Sequence, residues 1–571
     1  MIKTKLLCIT VLIFLLSLMI GCSASQETTH MPITSTSSVL QTTENNGATA
    51  VTTAPKKETF IFEGEYEPVL PKAEMPTKLY LAGVPEHDYD LLTLVSLQGI
   101  MARSGSERIL VQYDKSTSLF LDTVKAQYPD CKTGYAHSVW AFLKKDSSRV
   151  SGYILTDLHD DSVNVATSIA GFLNAVIVTK DNESEAVKIG LSCLLDVSDK
   201  DDAWLRQSEY FSKLDKNVAF MHNPDNVEHL RDYAIFCGAY MFTDQIATQE
   251  EIIQKVDFLN SGFIILGWNT KCGELETVRA LSKQNGSIIA ADYAKNLATY
   301  SGFKLYAATQ KTETAVEGEK KHHTVTIVVS DGDNLQWTLN TLPISGNWFK
   351  NPARGKYAIG WGLPASLIDV APPVLAYYYQ RMKTNEEFIM QLSGLGYTFP
   401  SYWTNPLSRL QMQKKVGAVM ERADMSVMEI LDDVRLNREL AETYYGGFLK
   451  EDSIDGILYI DYSDYSCYNG QVFWINGKPI VTARYRIWAD YTDINALAKS
   501  INAAKTDPKS EAAYSFIIVH AWSGLDVNGK VVANGNTLDA VTALIEKLDD
   551  DVEVVTPTEF IRRITENTTH N

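Results

Sequence analysis

Two aspartates lie just after an apolar stretch in the second half of the chain. The stretch, residues 324–329, consists only of Val, Ile and Thr, which is typical of a strand buried on both faces of a parallel sheet. Ser330 follows, and then Asp331 and Asp333, separated by Gly332. In parallel α/β folds the carboxyl ends of the strands carry the ligand and the chemistry. Asp and Gly also form ordinary turns, but two acids at the end of a buried strand favour a catalytic or binding role.

Apolar stretches with strand character recur after a polar segment at residues 311–321, where we place a domain boundary. Helical patterns lie between most of these stretches, and residues 474–479 instead indicate a hairpin. Eight β–α units in about 250 residues predict a (β/α)8-like barrel or a seven-stranded relative of it. The predicted strands are 324–329, 357–361, 388–392, 426–431, 456–460, 479–484, 515–520 and 552–555.

The strand ends of such a barrel define the candidate site, because barrels of this kind place their sites at the carboxyl ends of the strands. Carboxylates gathered there suit acid–base catalysis on a polar substrate, and aromatic rings suit the C–H faces of sugars. We expect Asp331 or Asp333 to pair with Glu429 or Asp461 across the barrel mouth. The catalytic candidates are Asp331, Asp333, Glu429 and Asp461, and the substrate-binding candidates are Trp361, Arg484, His520 and Trp522.

The preceding region, residues 59–310, alternates strand-like and helix-like patterns. This alternation predicts a mostly parallel α/β domain. The region contains no phosphate loop and no GxGxxG motif, so nucleotide binding has no support. We therefore expect residues 322–571 to fold as a barrel on their own and to hold the active site, with the first domain modulating access or stability.

The first residues carry an export signal. Lys3 and Lys5 precede an apolar run that ends in Gly21 and Cys22, which predicts a lipoprotein signal peptide over residues 1–21. Cys22 is the expected lipid-bearing residue. Residues 22–58, rich in Ser and Thr, are too polar to fold and predict a disordered tether. These features indicate an extracytoplasmic protein that contacts the bacterial cell membrane only through a lipid anchor.

The end of the third predicted barrel strand resembles a known motif. Gly394-Leu-Gly-Tyr-Thr-Phe-Pro400 is similar to the GxGYxYP motif that names a family of putative glycoside hydrolases, with Phe399 in place of the second Tyr. Stretches 267–268, 290–293 and 330–334 also resemble that family. The resemblance implies an N-terminal α/β domain, a C-terminal GxGYxYP domain and hydrolysis of a carbohydrate. Gly394, Gly396 and Tyr397 then belong to the substrate site, although the glycines equally fit a structural turn.

Composition excludes several other classes. A net charge of −18 without a basic run argues against nucleic acid as a partner. The cysteines have no CxxC spacing, so they predict neither a disulfide framework nor a zinc site, and we expect no cofactor. Two alternatives to a glycosidase stay open. One is a surface lipoprotein that binds glycans without catalysis. The other is a metal-dependent carbohydrate deacetylase, which the lack of an HxxxH pair after residue 322 disfavours.

Overall fold

The computed structural model describes residues 67–306, 309–310 and 323–570. They belong to one unit that runs from Ile61 to Asn571. The predicted signal peptide, Cys22, the tether and the boundary segment at residues 311–321 lie outside the described residues. Within the described part of the chain, no helix combines the length and the apolar character needed to cross a membrane.

Seven parallel strands close a barrel in the second half of the chain. Each strand pairs with the next, and β11 pairs with β12 to complete the ring. The seven-stranded form of the predicted barrel is therefore the correct one. The wall strands are β11 (His323–Val329), β12 (Ile359–Pro364), β13 (Glu386–Gln391), β14 (Val427–Asp432), β15 (Gly456–Asp461), β17 (Lys478–Ile487) and β18 (Tyr514–Val519).

Two further strands lie beside this wall. β16 (Val472–Ile475) forms the predicted hairpin with β17. β19 (Val552–Val555), predicted as the eighth wall strand, pairs only with the first half of β11. β12 pairs with the second half of β11, so β19 fills a gap at the amino end of the barrel and does not extend the ring.

The last helix, Pro557–Asn567, closes the amino end of the barrel. Thr558 donates its backbone N–H to Glu387 of β13 at 2.9 Å, and its hydroxyl lies 2.9 Å from that of Ser426. Phe560 and Ile561 belong to the same buried cluster as the inward-facing side chains of the wall. The carboxyl end is therefore the open end of the barrel.

The region before the barrel contains three small parallel sheets. The predicted parallel pairing is confirmed, but it is divided among these sheets. The first holds β1 (Lys78–Gly83), β2 (Glu107–Gln112) and β3 (Lys132–Tyr135), in the order β2-β1-β3; the second holds β4 (Gly152–Leu155), β5 (Ala175–Val178) and β6 (Cys193–Asp196), in the order β5-β4-β6. The third sheet holds β7 (Val218–Met221), β8 (Tyr240–Phe242), β9 (Ile264–Gly267) and β10 (Ser287–Ile289), in the order β10-β9-β7-β8.

Helices follow most strands in both regions. Many begin at an Asp or Asn whose side chain accepts backbone N–H groups; Asn405, followed by Pro406, is one example. Before the barrel the helices are Asp88–Arg103, Lys115–Gln127, Val139–Lys145, Asp161–Leu173, Glu183–Lys188, Asp202–Gln207, Arg231–Cys237, Gln249–Val256, Glu274–Lys283 and Leu297–Tyr300. In the barrel they are Leu335–Leu339, Leu367–Val370, Pro372–Arg381, Pro406–Arg422, Arg438–Tyr444, Ile494–Ala503, Thr537–Ile545 and Pro557–Asn567.

The third sheet docks onto the open end of the barrel. Ile288 of β10 and Tyr397, which follows β13, exchange backbone hydrogen bonds of 3.0 and 2.7 Å as an isolated antiparallel bridge. The hydroxyls of Ser282 and Thr398 lie 2.9 Å apart. A Cβ on Gly396 would lie 2.9 Å from Ile289, so only glycine permits this close approach. The GxGYxYP segment thus fastens the N-terminal region to the barrel.

Candidate active site

Strand alternation decides which acids face the inside of the barrel. On β14, Val427 and Leu431 pack in the interior cluster, so Glu429, between them in alternation, points inward as well. On β15, Leu458 and Ile460 face inward. Asp461 is one residue out of phase with them and therefore lies on the outer side.

Gln391, at the end of β13, connects Glu429 to the aspartate loop. Its Oε1 accepts the backbone N–H of Gly332 at 2.8 Å. Its Nε2 donates to Glu429 Oε2 at 3.0 Å and to the carbonyl of Val329 at 3.2 Å. One buried amide thereby fixes the loop that carries Asp331 and Asp333 relative to the glutamate of β14.

Two glycines make room for this connection. A Cβ on Gly362 of β12 would lie 1.7 Å from Gln391 Oε1, and one on Gly332 would lie 1.9 Å from the carbonyl oxygen of Gly362. Both distances are far below van der Waals contact, so any side chain at either position displaces the loop. Asp331 itself has a φ of 64°, which turns the chain sharply at the end of β11.

A fourth carboxyl comes from the N-terminal region. Glu274 is the first residue of helix Glu274–Lys283, and its Oε1 accepts a hydrogen bond of 2.9 Å from the hydroxyl of Tyr397. The ring of Tyr397 lies parallel to that of Trp268, with centroids 6.5 Å apart. We call Glu274, Asp331, Asp333 and Glu429 the carboxylate cluster.

The members of the carboxylate cluster act on one another electrostatically. Burial and the negative charge of Asp331 raise the pKa of Asp333 to about 8. Burial raises the pKa of Glu274 to about 7, with the Tyr397 hydrogen bond opposing and the charge of Asp331 adding to the shift. Burial first, and then the charges of Asp333 and Asp331, hold the pKa of Glu429 well above its usual range. The negative charge of Asp331 thus contributes to the raised pKa of each of the other three carboxyls.

Aromatic side chains adjoin the carboxylate cluster. His520 stacks on Trp488 with centroids 3.8 Å apart, and Trp488 in turn contacts Tyr465 at 4.7 Å. Burial lowers the pKa of His520, while the charge of Asp331 partly raises it. Its Nδ1 lies 2.9 Å from the hydroxyl of Ser523, which orients the ring. His520 therefore lies where the sequence placed it, close to Asp331.

Trp522 belongs to a group of three indoles. Its ring centroid lies 5.0 Å from that of Trp337 and 5.1 Å from that of Trp348. Trp522 is 41% exposed, and Trp348 donates its indole N–H to the carbonyl of Ala521 at 2.9 Å. The indole face is therefore available beside the strand that carries His520.

The structure does not bring three of the predicted residues to the carboxylate cluster. Asp461 accepts hydrogen bonds from Ser463 and Tyr468 on the outer side of the wall. Trp361 is 2% exposed and packs against Phe349 on the outer side of the barrel wall. Arg484 donates to the carbonyls of Asn469 and Ala512, where it joins two surface segments. The sequence identified strand ends correctly, but it did not show on which side of the wall each side chain lies.

Both motif glycines make close contacts in this protein. Gly396 allows contact with β10, and a Cβ on Gly394 would lie 3.2 Å from the sulfur of Met412. Tyr397 alone of the motif reaches the carboxylate cluster through its hydroxyl. Phe399 is fully buried against Tyr397, so the position of the second Tyr serves packing here.

Glu274 is the residue that sequence reasoning missed. We expected the barrel to hold the whole site, yet this carboxyl comes from the region before it. A usable signal existed, because Glu274 follows β9 at the carboxyl edge of a parallel sheet, the same location that drew attention to Asp331. Within the described residues, no three His, Cys, Asp or Glu side chains are placed to hold a metal ion.

The fold and the site define an α/β protein with a seven-stranded barrel whose open end is covered by a parallel sheet. Family models match it as the "GxGYxYP putative glycoside hydrolase C-terminal domain" at residues 321–565, the "GxGYxYP_N second domain" at 150–214 and the "GxGYxYP third domain" at 216–302. The chain belongs to the GxGYxYP family. The two N-terminal matches coincide with the second and third sheets.

A solved structure has the same fold. The crystal structure of a putative hydrolase from Bacteroides thetaiotaomicron superposes with a TM-score of 0.76 at 24% sequence identity. The match covers 88% of this chain and 98% of that chain. A comparison with curated proteins gave no match.

Proposed function

We propose that the protein is a glycoside hydrolase that uses the carboxylate cluster for acid–base catalysis. The observation that carries the proposal is the convergence of four carboxyls, from β11, β14 and the third sheet, around the charge of Asp331. Glycosidic cleavage needs one protonated carboxyl and one ionised carboxylate. The family description and the hydrolase fold support a carbohydrate as substrate.

The two roles fall to residues on the two sides of the junction between sheet and barrel. Glu274, with a pKa of about 7, is the general acid that protonates the leaving glycosidic oxygen. Asp331 is the carboxylate that attacks the anomeric carbon or activates a water molecule there. The hydroxyl of Tyr397 orients the acid.

The remaining carboxyls supply hydrogen-bonding groups. Asp333, with a pKa of about 8, keeps its proton at neutral pH, so its O–H can donate to a substrate hydroxyl. Its neutrality also prevents a second negative charge beside Asp331. Glu429, whose pKa burial raises, adjoins it. His520, uncharged because burial lowers its pKa, and the indole of Trp522 line the sugar site.

The direct test is hydrolysis of a polysaccharide panel by the full chain. Neutral and acidic plant, fungal and bacterial glycans are incubated with enzyme, and new reducing ends are measured. We expect cleavage of at least one glycan, with NMR of the first product reporting retention or inversion at the anomeric carbon. Binding to a glycan without new reducing ends would instead identify a non-catalytic glycan-binding protein. Release of acetate without chain cleavage would identify a deacetylase.

We also propose that the protein is exported and anchored to the cell membrane through a lipid on Cys22. The support is the sequence of the first 22 residues, with charged residues, an apolar run and Gly21-Cys22. Cys22→Ala is expected to release the protein from the membrane fraction or to block processing of the precursor. Unchanged membrane fractionation of this variant would contradict the anchor.

A further inference from the structure

Three polar residues lie at one level beyond the carboxyl edge of the third sheet. Met221 of β7 pairs with Phe242 and with Gly267, and Ile289 pairs with Leu266. Ala290, the next residue of that chain segment, is therefore level with Gly267. Two residues past Phe242, Gly267 and Ala290 come Asp244, Asn269 and Asp292. They form a polar group that the carboxylate cluster does not include.

Two atoms of this polar group are buried without a partner. Asn269 is 3% exposed, and its Oδ1 accepts the backbone N–H groups of Lys271 and Cys272 at 2.8 and 2.9 Å. Those bonds fix the amide with Nδ2 turned away from Lys271 and Cys272, and Nδ2 has no hydrogen-bond partner among the described residues. Within the same part of the chain, the buried Oδ1 of Asp292 also lacks one.

The two atoms are complementary in hydrogen bonding. Nδ2 is a donor and the carboxylate oxygen an acceptor, and leaving either buried and unpaired is costly. Asp244, 4% exposed, lies close enough that its charge adds to burial in raising the pKa of Asp292 to about 6. A sugar hydroxyl, which both donates and accepts, can satisfy either atom.

An exposed ring adjoins this polar group. Tyr293 is 50% exposed, yet its backbone is held on both sides. Its N–H donates to Gln336 Oε1 at 3.1 Å, and its carbonyl accepts from Asn340 Nδ2 at 3.0 Å. A fixed, exposed aromatic face beside paired hydrogen-bonding atoms is the usual composition of a site for a sugar ring.

The polar group is continuous with the carboxylate cluster. Gln336 donates its backbone N–H to the carbonyl of Ala290 at 3.2 Å, two residues before Asp292. Gln336 also lies three residues after Asp333 on the loop and helix that follow β11. A chain of linked sugar units bound at Asp331 and Asp333 can therefore extend over Tyr293.

We propose that Asn269, Asp292 and Tyr293 form a second subsite that binds an uncharged sugar ring of an oligosaccharide. The inference rests on the proposed function only for the choice of a carbohydrate as ligand. Asp244 and Asp292 place negative charge at the subsite, which repels the carboxylate of a uronic acid unit. The substrate class is accordingly a neutral oligosaccharide longer than the part held by the carboxylate cluster.

The test is calorimetric titration of the full chain carrying Asp331→Asn, which prevents turnover. The probes are cellohexaose, xylohexaose, mannohexaose and hexagalacturonate. We expect at least one neutral hexasaccharide to bind and hexagalacturonate to bind at least tenfold more weakly. Adding Asp292→Asn or Tyr293→Ala should raise the Kd for the neutral probe about tenfold or more.

Two further variants serve as matched controls. Asp225→Asn removes an exposed carboxylate that follows β7, and Tyr135→Ala removes an exposed ring of the first sheet; neither should change the Kd. The subsite would be overturned if the Asp292 and Tyr293 variants had the same Kd as their Asp331→Asn parent. It would also be overturned if hexagalacturonate bound as tightly as the neutral probe, or if no neutral probe bound. Intact binding by a chain that cleaves no glycan would overturn the proposed function and leave the subsite standing.

Discussion

The hydroxyl of Tyr397 donates a hydrogen bond of 2.9 Å to Oε1 of Glu274. The tyrosine follows a barrel strand, and the glutamate opens a helix of the third sheet. The GxGYxYP segment therefore does two things at once: its backbone fastens the two regions together, and its tyrosine orients a carboxyl that only the docked arrangement supplies.

Removal of that hydroxyl should shift the pH dependence of the enzyme. The Tyr397 hydrogen bond lowers the pKa of Glu274. In Tyr397→Phe that pKa rises, and because the general acid acts in its protonated form, the alkaline limb of the kcat profile moves to higher pH. We also expect kcat to fall by about 10- to 100-fold, because the acid loses its orienting partner. Tyr402→Phe is the control, since its hydroxyl donates to Asp433 at 2.9 Å, outside the carboxylate cluster. An unmoved limb would exclude Glu274 as the acid.

The close approach of β11 and β12 should make Gly332 intolerant of any side chain. In Gly332→Ala the new Cβ would lie 1.9 Å from the carbonyl oxygen of Gly362. The loop must then move, which disturbs the hydrogen bond from the backbone N–H of residue 332 to Gln391 Oε1. We expect a loss of about 1–3 kcal/mol in the free energy of unfolding and a large loss of turnover. Thermal unfolding and kcat are the measurements. Gly346→Ala, whose Cβ would meet nothing within 4 Å, is the control and should leave both unchanged. Equal behaviour of the two variants would refute the close approach of Gly332 to Gly362.

Stability should depend on pH through Asp333. The folded carboxyl, with a pKa of about 8, keeps its proton in a range where the unfolded one, with a pKa near 3.8, has lost it. The folded state then binds more protons than the unfolded state, so the free energy of unfolding falls as pH rises between these values. The side chain of Asp333→Asn cannot ionise, so this variant lacks the fall in the free energy of unfolding. The difference between its Tm and that of the unmodified protein should therefore increase from about pH 4 to about pH 8 and then level off.

An aspartate with the opposite shift provides the comparison. The side chain and backbone N–H of Ser198 hold the pKa of Asp196 below its usual value. This carboxylate adds stability above its unfolded pKa and loses it as the pH falls, so Asp196→Asn should lower Tm at neutral pH. A relative Tm of Asp333→Asn that is flat between pH 4 and pH 8 would contradict the raised pKa.

Much of the barrel was predictable from sequence because its strands are buried on both faces. Runs such as 324–329 contain only β-branched residues, and every predicted wall strand is present within a few residues of its expected bounds. The role of β19 was not predictable. Its sequence specifies a strand, but only the pairing shows that it fills a gap beside β11 and adds nothing to the ring.

The site was predictable only in part, because a shift of one residue reverses the face of a side chain. Glu429 lies within β14 and Asp461 ends β15, and alternation sends the first inward and the second outward. The place of Glu274 in the site depends on a long-range contact. Its partner, Tyr397, is 123 positions away in the chain, and their contact exists only after the third sheet docks on the barrel.

Turnover of single carboxyl variants shows whether the carboxylate cluster catalyses the reaction. On the glycan that the full chain cleaves, Asp331→Asn and Glu274→Gln should each lower kcat by about 100- to 10,000-fold with the fold intact. Asp461→Asn, which alters a carboxylate on the outer side of the wall, should retain full turnover. The reverse result, with full turnover in the first two variants and loss only in the third, would contradict the assignment of catalysis to the carboxylate cluster.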